Sequence, residues 1–326
     1  MACSVSPLFE GKRVTEDITP AVKTSPTIGV DIALDGPPTG LPQIRQRQGP
    51  KMVKIKIVGM LALLASSPSF AQAQEKPASA AADAGPAPIC TDRPGKNTSA
   101  CTVPKGSFQL ETDLINWTRF DSEGTRTDTI LYTNPTLKYG LTSSTDIEAN
   151  IAPFETIRTR DGSGVSKMHG VGDLYLRVKQ RLTSPDAKAQ FAVIPFIKIP
   201  TAKFGIGNRK LEGGVVGTGV FTLSKEYSLT FSPEVDDLEN ADLHGHHGQF
   251  VAALSLAKTL SSKLTASAEL WTSQNYDPSG TLRQYSFDGA LAYVPSSNLQ
   301  FDGGVNVGLN RFTPGVQAYV GISRRF

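Results

Sequence analysis

From Gly106 to the C-terminus, apolar residues recur at every second position rather than every third or fourth. That period puts alternate side chains on opposite faces of an extended chain, so it predicts strands. In FQLETDL, Phe108, Leu110 and Leu114 share one face, and Gln109, Glu111 and Asp113 share the other. TDIEANIAP sets Ile147, Ala149 and Ile151 against Asp146, Glu148 and Asn150. In GDLYLRVKQRL, Leu174, Leu176 and Val178 oppose Asp173, Tyr175, Arg177, Lys179 and Arg181. LQFDGGVNVGLN sets Leu299, Phe301, Val305, Val307 and Leu309 against Gln300, Asp302, Asn306 and Asn310. The polar face carries ionised groups in mid-strand, not only Ser and Thr.

Twelve segments follow this pattern: 107–119, 128–141, 145–159, 168–183, 189–202, 213–224, 228–238, 248–260, 263–274, 283–294, 298–310 and 315–326. Two are irregular. Pro195 and Pro200 each remove a ladder donor from 189–202, and glycine dominates 213–224. The connections alternate in length. TSS, PDAK, EYS, SS and PSS are short, whereas FDSEGTRT, RDGSGVSK, FGIGNRKLEGG, DLENADLHGHH and QNYDPSGTLR are long. Short turns at one end and long loops at the other predict an all-β transmembrane barrel of about 12 strands over 106–326. An even count brings both ends of the barrel to the short-turn, periplasmic side. Tyr139 and Tyr293 fall on the outer face near strand ends, where interfacial aromatic girdles form.

Composition narrows this picture. Hydrophobic residues make up 39% and charged residues 19%, below the ~25% charge of ordinary soluble domains. No run of ~18 apolar residues is present, which excludes a polytopic helical membrane protein. The net charge is +3, with 33 basic and 30 acidic residues. Positions 1–73 hold the excess, and the rest is balanced, leaving no basic arm for nucleic acid.

Within 1–73, KMVKIK leads into IVGMLALLA and then SSPSFAQAQ: a charged start, a short apolar run and an Ala71-Gln72-Ala73 cleavage pattern. We read 52–73 as a signal peptide for general secretion and 1–51 as an upstream extension preceding the true start at Met52. The alternatives are an interior helix and an unusually long signal-peptide n-region. Residues 74–105 then form a flexible periplasmic leader, Ala/Pro-rich at its start. Cys90 and Cys101 are the only cysteines of the mature chain, and in an oxidising periplasm a structural disulfide is expected. Closing so short a loop is worth about 3 kcal/mol.

Two stretches carry a family resemblance: GVGDLYLRVKQRL (170–182), in which G-x-G-D opens a strand, and IKIPT (197–201). With the twelve-strand pattern, they resemble a family of outer-membrane "transporter" barrels named for the MetA pathway of phenol degradation. The resemblance covers about 107–326. It implies a barrel and, by association with aromatic catabolism, uptake of small aromatic or apolar compounds, and it assigns no residue a role. The C-terminal YVGISRRF resembles the terminal signal that outer-membrane proteins present to the barrel assembly machinery through a final aromatic residue, here Phe326. Arg324 departs from that pattern, standing where a hydrophobic residue or Tyr is usual.

No G-x-S-x-G, H-E-x-x-H, P-loop or paired C-x-x-C motif occurs, so neither a catalytic site nor a cofactor is expected. His244, His246 and His247 form HGHH in one long loop and are weak candidates for a divalent metal. Ser166, His169 and Asp173 have the composition of a triad, but 166 and 169 point to opposite faces of one strand. The informative set is the charged face. Arg or Lys facing lipid near the midplane costs ~2–4 kcal/mol, so these charges must line the lumen. Glu111, Asp113, Asp146, Glu148, Asp173, Glu234, Glu269, Asp288 and Asp302 supply the acids, and Arg177, Lys179 and Lys198 supply bases. Trp117, Tyr175 and Trp271 fall on the same face, where they can meet a ring-shaped solute or fill space. The expectation is a passive outer-membrane channel for small solutes with lipid around it. The alternatives are an outer-membrane enzyme acting on lipid and a sealed structural barrel.

Overall fold

Extended chain cannot cross a bilayer unless every strand edge is paired, and this chain meets that demand by closing on itself. The computed structural model describes residues 87–203 and 205–326. The expected extension over 1–51, signal peptide over 52–73 and start of the leader lie outside the described residues. Along the chain come β1 (Phe108–Ser122), β2 (Thr125–Thr133), β3 (Thr136–Gly140), β4 (Thr145–Asn150), β5 (Phe154–Asp161), β6 (Gly164–Gly170) and β7 (Leu174–Arg181). They are followed by β8 (Ala189–Ile199), β9 (Glu212–Thr222), β10 (Tyr227–Glu239), β11 (His246–Thr259), β12 (Leu264–Asn275), β13 (Leu282–Ser296), β14 (Leu299–Gly308) and β15 (Val316–Arg325). Each pairs antiparallel with its neighbours, and β1 pairs with β15 to close the ring. The pairs β2–β3, β4–β5 and β6–β7 each form one interrupted stave, so the closed barrel has 12 strands, as the alternation predicts.

The interruptions have local causes. Pro135 and Pro153 carry no N–H for the ladder, and Gly172 packs so closely that a Cβ would lie 3.1 Å from Ala152 Cβ. Asn150 spans the first gap: its Nδ2 donates to Asn134 Oδ1 and to Pro135 O, both at 3.0 Å. The three breaks lie side by side and form a seam in the wall. Above the seam β6 pairs with β5, and among the described residues its other edge carries no strand. The loop after β8 lies there instead, with Thr201 Oγ1 donating to Gly172 O and Ala202 N to Asp173 Oδ1, each at 2.9 Å.

The barrel is apolar outside and polar inside. Leu137, Ile147, Leu270, Phe287, Leu291 and Val320 are exposed on the outer face, where lipid belongs. Glu111, Asp146, Glu148, Lys179, Glu269 and Asp288 are buried inside. Tyr139 stacks on Phe108 at 4.8 Å, and Tyr293 pairs across strands with Phe301, so both sit on the outer face at the short-turn end.

One expectation fails here. Trp117 was expected in the lumen, but it faces outward. The β1–β15 register slips between Asp113 and Ile115, so Leu114 is an extra residue and both Leu114 and Ile115 face out. A bulge of this kind reverses the parity of every later residue on the strand. Asn116 therefore points inward, where its Oδ1 accepts from Gln317 Nε2 at 3.0 Å, and Trp117 points to the membrane side.

The topology gives a direct check. A protease site inserted at Gly245, in the β10–β11 loop, should be cleaved on intact cells. One inserted at Ser262, in the β11–β12 turn, should survive until the outer membrane is opened. The opposite pattern would overturn the orientation.

Candidate functional site

The lumen is crossed by the chain's own N-terminal segment. Expected as a flexible leader, residues 87–105 enter the barrel from the short-turn end as a finger and return. Arg325 donates to Ala87 O at 2.6 Å, and Gln109 Nε2 donates to Cys90 O at 2.8 Å at the base. The Cys90–Cys101 disulfide ties the ingoing and outgoing arms together. At the tip, Gly95 N donates to Tyr319 Oη (3.0 Å), Lys96 N to Glu269 Oε1 (2.9 Å) and Thr98 N to Ser232 Oγ (3.1 Å). Thr218 Oγ1, beside Ser232 on the adjacent strand β9, donates to Thr98 O at 2.5 Å, and Val103 N donates to Asp146 at 2.9 Å on the way out. Read alone, TDRPGKNTS resembles any polar loop. Its charges become informative only beside the lumen charges they meet.

Those charges meet in three clusters. Asp92 lies between Lys138 and Lys179, with Lys179 Nζ at 2.7 Å from both carboxylate oxygens. Glu111 approaches Lys138 at 2.8 Å, and Glu148 lies 3.7 Å from Lys138 and 3.5 Å from Lys179. Burial alone would raise the Asp92 carboxyl, but the two ammonium groups outweigh it and hold Asp92 well below its ordinary value. Arg93 reaches the neighbouring stretch of wall, at 2.6 Å from Asp113 on β1 and 2.7 Å from Asp302 on β14, over the Tyr319 ring at 5.6 Å. Its guanidinium passes where a Cβ on Gly321 would lie 2.0 Å from Nη2, so only glycine leaves it room. Lys96 binds Asp288 at 2.6 Å and Ser286 Oγ at 2.8 Å, above the Trp271 ring at 4.8 Å. Burial lowers the Lys96 ammonium, and Asp288 offsets part of that.

The remaining candidates lie on the lumen side too. Lys198 pairs with Glu212 at 2.5 Å and reaches Asp173 at 3.6 Å. Arg177 lies over Tyr175 at 5.4 Å, and Tyr175 packs on Phe196 at 6.3 Å. Glu234 lies on the lumen face of β10 with Asp236, which accepts from Gln249 at 2.9 Å. The structure thus brings together Glu111, Asp113, Asp146, Glu148, Lys179, Glu269, Trp271, Asp288 and Asp302 around the finger. Tyr175, Arg177 and Lys198 sit apart, on β7 and β8. Sequence reasoning missed the finger residues Asp92, Arg93 and Lys96 altogether.

The family model described as "Putative MetA-pathway of phenol degradation" matches residues 91–326. The chain belongs to this family. The MetA-family match begins at Thr91, so it takes in nearly all of the finger as well as the barrel. The COG4313 outer membrane channel from Pseudomonas putida F1 is 13% identical, with a TM-score of 0.57, covering 72% of this chain and 100% of that chain. That likeness is one of fold. The NanC porin (6% identity, TM-score 0.42, covering 67% and 98%) and the CymD monoaromatic hydrocarbon channel (8%, 0.38, 68% and 88%) are more distant. No curated protein matches the chain.

Two further candidates resolve into separate pieces. His246 sits between Asp237 (3.2 Å) and Glu239 (3.1 Å), while His247 faces Asp277 at 3.4 Å and Asn240 at 3.0 Å. His244 turns back to Asp242 O, and among the described residues no group of three or more ligands is placed to hold a metal. His169 stacks on Phe154 at 5.9 Å on the outer face, and Ser166 pairs with Thr159 on the inner one.

Removing one partner of a buried ion pair leaves the others uncompensated. Asp92→Asn should therefore weaken finger docking by about 3–5 kcal/mol, seen as faster hydrogen exchange of the 91–103 amides with the barrel amides unchanged. Gly321→Ala should loosen the same amides by displacing Arg93.

The pH dependence follows from the sign of the Asp92 shift. A depressed carboxyl contributes stability above its unfolded value of 3.8, and loses it as pH falls through the lower folded value. Finger protection should hold from pH 8 to 4 and fail only on stronger acidification. Loss near pH 6 would show that Asp92 does not anchor the finger.

Proposed function

We propose that this protein is a passive outer-membrane channel for small apolar or aromatic solutes, and that the finger is its built-in constriction. Membership of the MetA family supports this, as does the fold shared with an outer membrane channel. The observation that carries the reading is the manner in which the finger is held. It lies in the lumen on ion pairs and hydrogen bonds from opposite walls, with Ile89, Ala100 and Val103 its only buried apolar side chains among the described residues. A permanently sealed barrel has no need of a separate, disulfide-closed segment bound by polar groups. Tyr175, Phe196 and Arg177 above it give a ring-shaped solute aromatic faces and a cation. The reading requires no cofactor or metal, and Ser166 and His169 on opposite faces give hydrolysis no starting geometry. Phe326, 67% exposed at the end of β15, is suited to present the terminal signal to the assembly machinery.

Liposome swelling with sugars, amino acids and benzoates tests the channel. Benzoate-sized solutes should permeate faster than sugars of similar mass, and removing residues 89–103 should raise the rate for all of them. No flux through either protein would leave a structural barrel.

A double replacement of Arg177 and Lys179 by Gln should do two things in planar bilayers. Reversal potential under a KCl gradient should move toward cation selectivity, because two positive charges leave the lumen. Conductance should also rise, because Lys179 no longer holds Asp92. Unchanged selectivity in an open channel would remove both residues from the pore.

A further inference from the structure

The outer face of β1, β2, β5 and β6 changes character in ordered rows toward the long-loop end. Ile115, Tyr132 and Phe154 form an apolar row, all exposed, with Tyr132 and Phe154 rings 5.4 Å apart. One row up stand Trp117, Ile130, Thr156 and His169, paired across the strands. The next row is Arg119, Asp128, Arg158 and Lys167, and beyond it come Asp121, Arg126 and Arg160. Apolar, then aromatic, then cationic is the order met on leaving a bilayer through its headgroups.

The cationic rows are unbalanced. Arg119 pairs with Asp128 at 2.9 Å and Arg126 with Asp121 at 2.8 Å. Arg158, Arg160 and Lys167 make no ion pair among the described residues. The ladder also sets Arg126 opposite Arg160 and Arg158 opposite Lys167. Like charges directly across strands destabilise a sheet, so this face is built for an anion that comes from outside the chain. The Arg158 Nε is shielded from solvent and has no hydrogen-bond partner among the described residues. Arg119 is fixed over Trp117 at 4.8 Å, and Trp117 Nε1 donates to Asp128 at 3.0 Å, so the lower edge of the patch is held in place.

We propose that this face binds the phosphate of an outer-leaflet lipid headgroup. The acyl chains would lie on Ile115, Tyr132 and Phe154, and Arg158, Arg160 and Lys167 would take the phosphate. Lipid rather than free phosphate is the occupant because the cations stand directly above the lipid-facing apolar row, on the same four strands. A guanidinium pair gives the bidentate donors a phosphate accepts, and the Lys adds a point charge. The site lies outside the lumen, so it is independent of solute passage.

The test uses the full protein in detergent, with lipid A, its monophosphoryl form, phosphatidylcholine and inorganic phosphate as probes, read by native mass spectrometry. Lipid A should bind best, phosphatidylcholine weakly, and ten millimolar inorganic phosphate should not displace it. The R158Q/R160Q/K167Q protein should bind lipid A about a hundredfold more weakly, with its heat-resistant electrophoretic mobility and its conductance unchanged. R158K/R160K, which keeps both charges, should retain most of the affinity and separates charge loss from misfolding. Equal lipid A binding by the triple variant would overturn the proposal. So would full displacement by inorganic phosphate, which would make the patch a free-anion site.

Discussion

Lipid on one side of a single-layer wall decides where every charge in this protein goes. Arg or Lys cannot face hydrocarbon at midplane without a cost of ~2–4 kcal/mol, so strands rich in ionised residues must turn those residues inward. Once inside, they crowd. Glu111, Lys138, Glu148 and Lys179 share one region of the wall, and Asp113 and Asp302 share another. An acidic pair such as Asp113 and Asp302 needs a cation, and Lys138 and Lys179, already facing Glu111 and Glu148, still have ammonium donors that one bridging carboxylate can take. The finger brings Arg93 to the first and Asp92 to the second. Barrel and finger are therefore one electrostatic unit, although among the described residues no strand pairing joins them beyond a bridge at Lys105.

This explains what could be read from the chain. The barrel was legible because lipid imposes a strict period of two, visible in FQLETDL and GDLYLRVKQRL without any partner in view. The lumen side of Glu269 or Asp288 was legible for the same reason. The finger was not, because its meaning lies in long-range pairs such as Arg93 with Asp302 and Lys96 with Asp288. Trp117 was misplaced because a bulge leaves no mark in a run of alternating residues: Leu114-Ile115 reads equally well as two outward residues or as an ordinary step. The three interruptions were half legible. Pro135, Pro153 and Gly172 stand in the sequence, but that they align into one seam follows only from the register.

The seam and the cationic face share one cause. Where β2, β5 and β6 leave the regular barrel, they continue as a sheet whose last strand pairs on one side with β5. Its outer face still meets membrane, first hydrocarbon at Tyr132 and Phe154, then headgroups at Arg158 and Lys167. The amphipathic rows are thus the barrel's rule carried past the hydrocarbon, where cations on the lipid side no longer carry a midplane cost.

Polar anchoring also bears on how firmly the finger sits. Buried ion pairs repay much of their Coulomb energy as lost hydration, so their net contribution is small even when breaking one side is costly. A finger packed on leucines would gain steadily with each buried methylene and would be fused to the wall. Asp92, Arg93 and Lys96 instead exchange water for protein charges, so the docked state is favoured over an undocked one by less than the number of its ion pairs suggests. The Cys90–Cys101 bond keeps the two arms together in both states, which limits the entropy regained on release. A segment with those properties can narrow a pore without closing it for good.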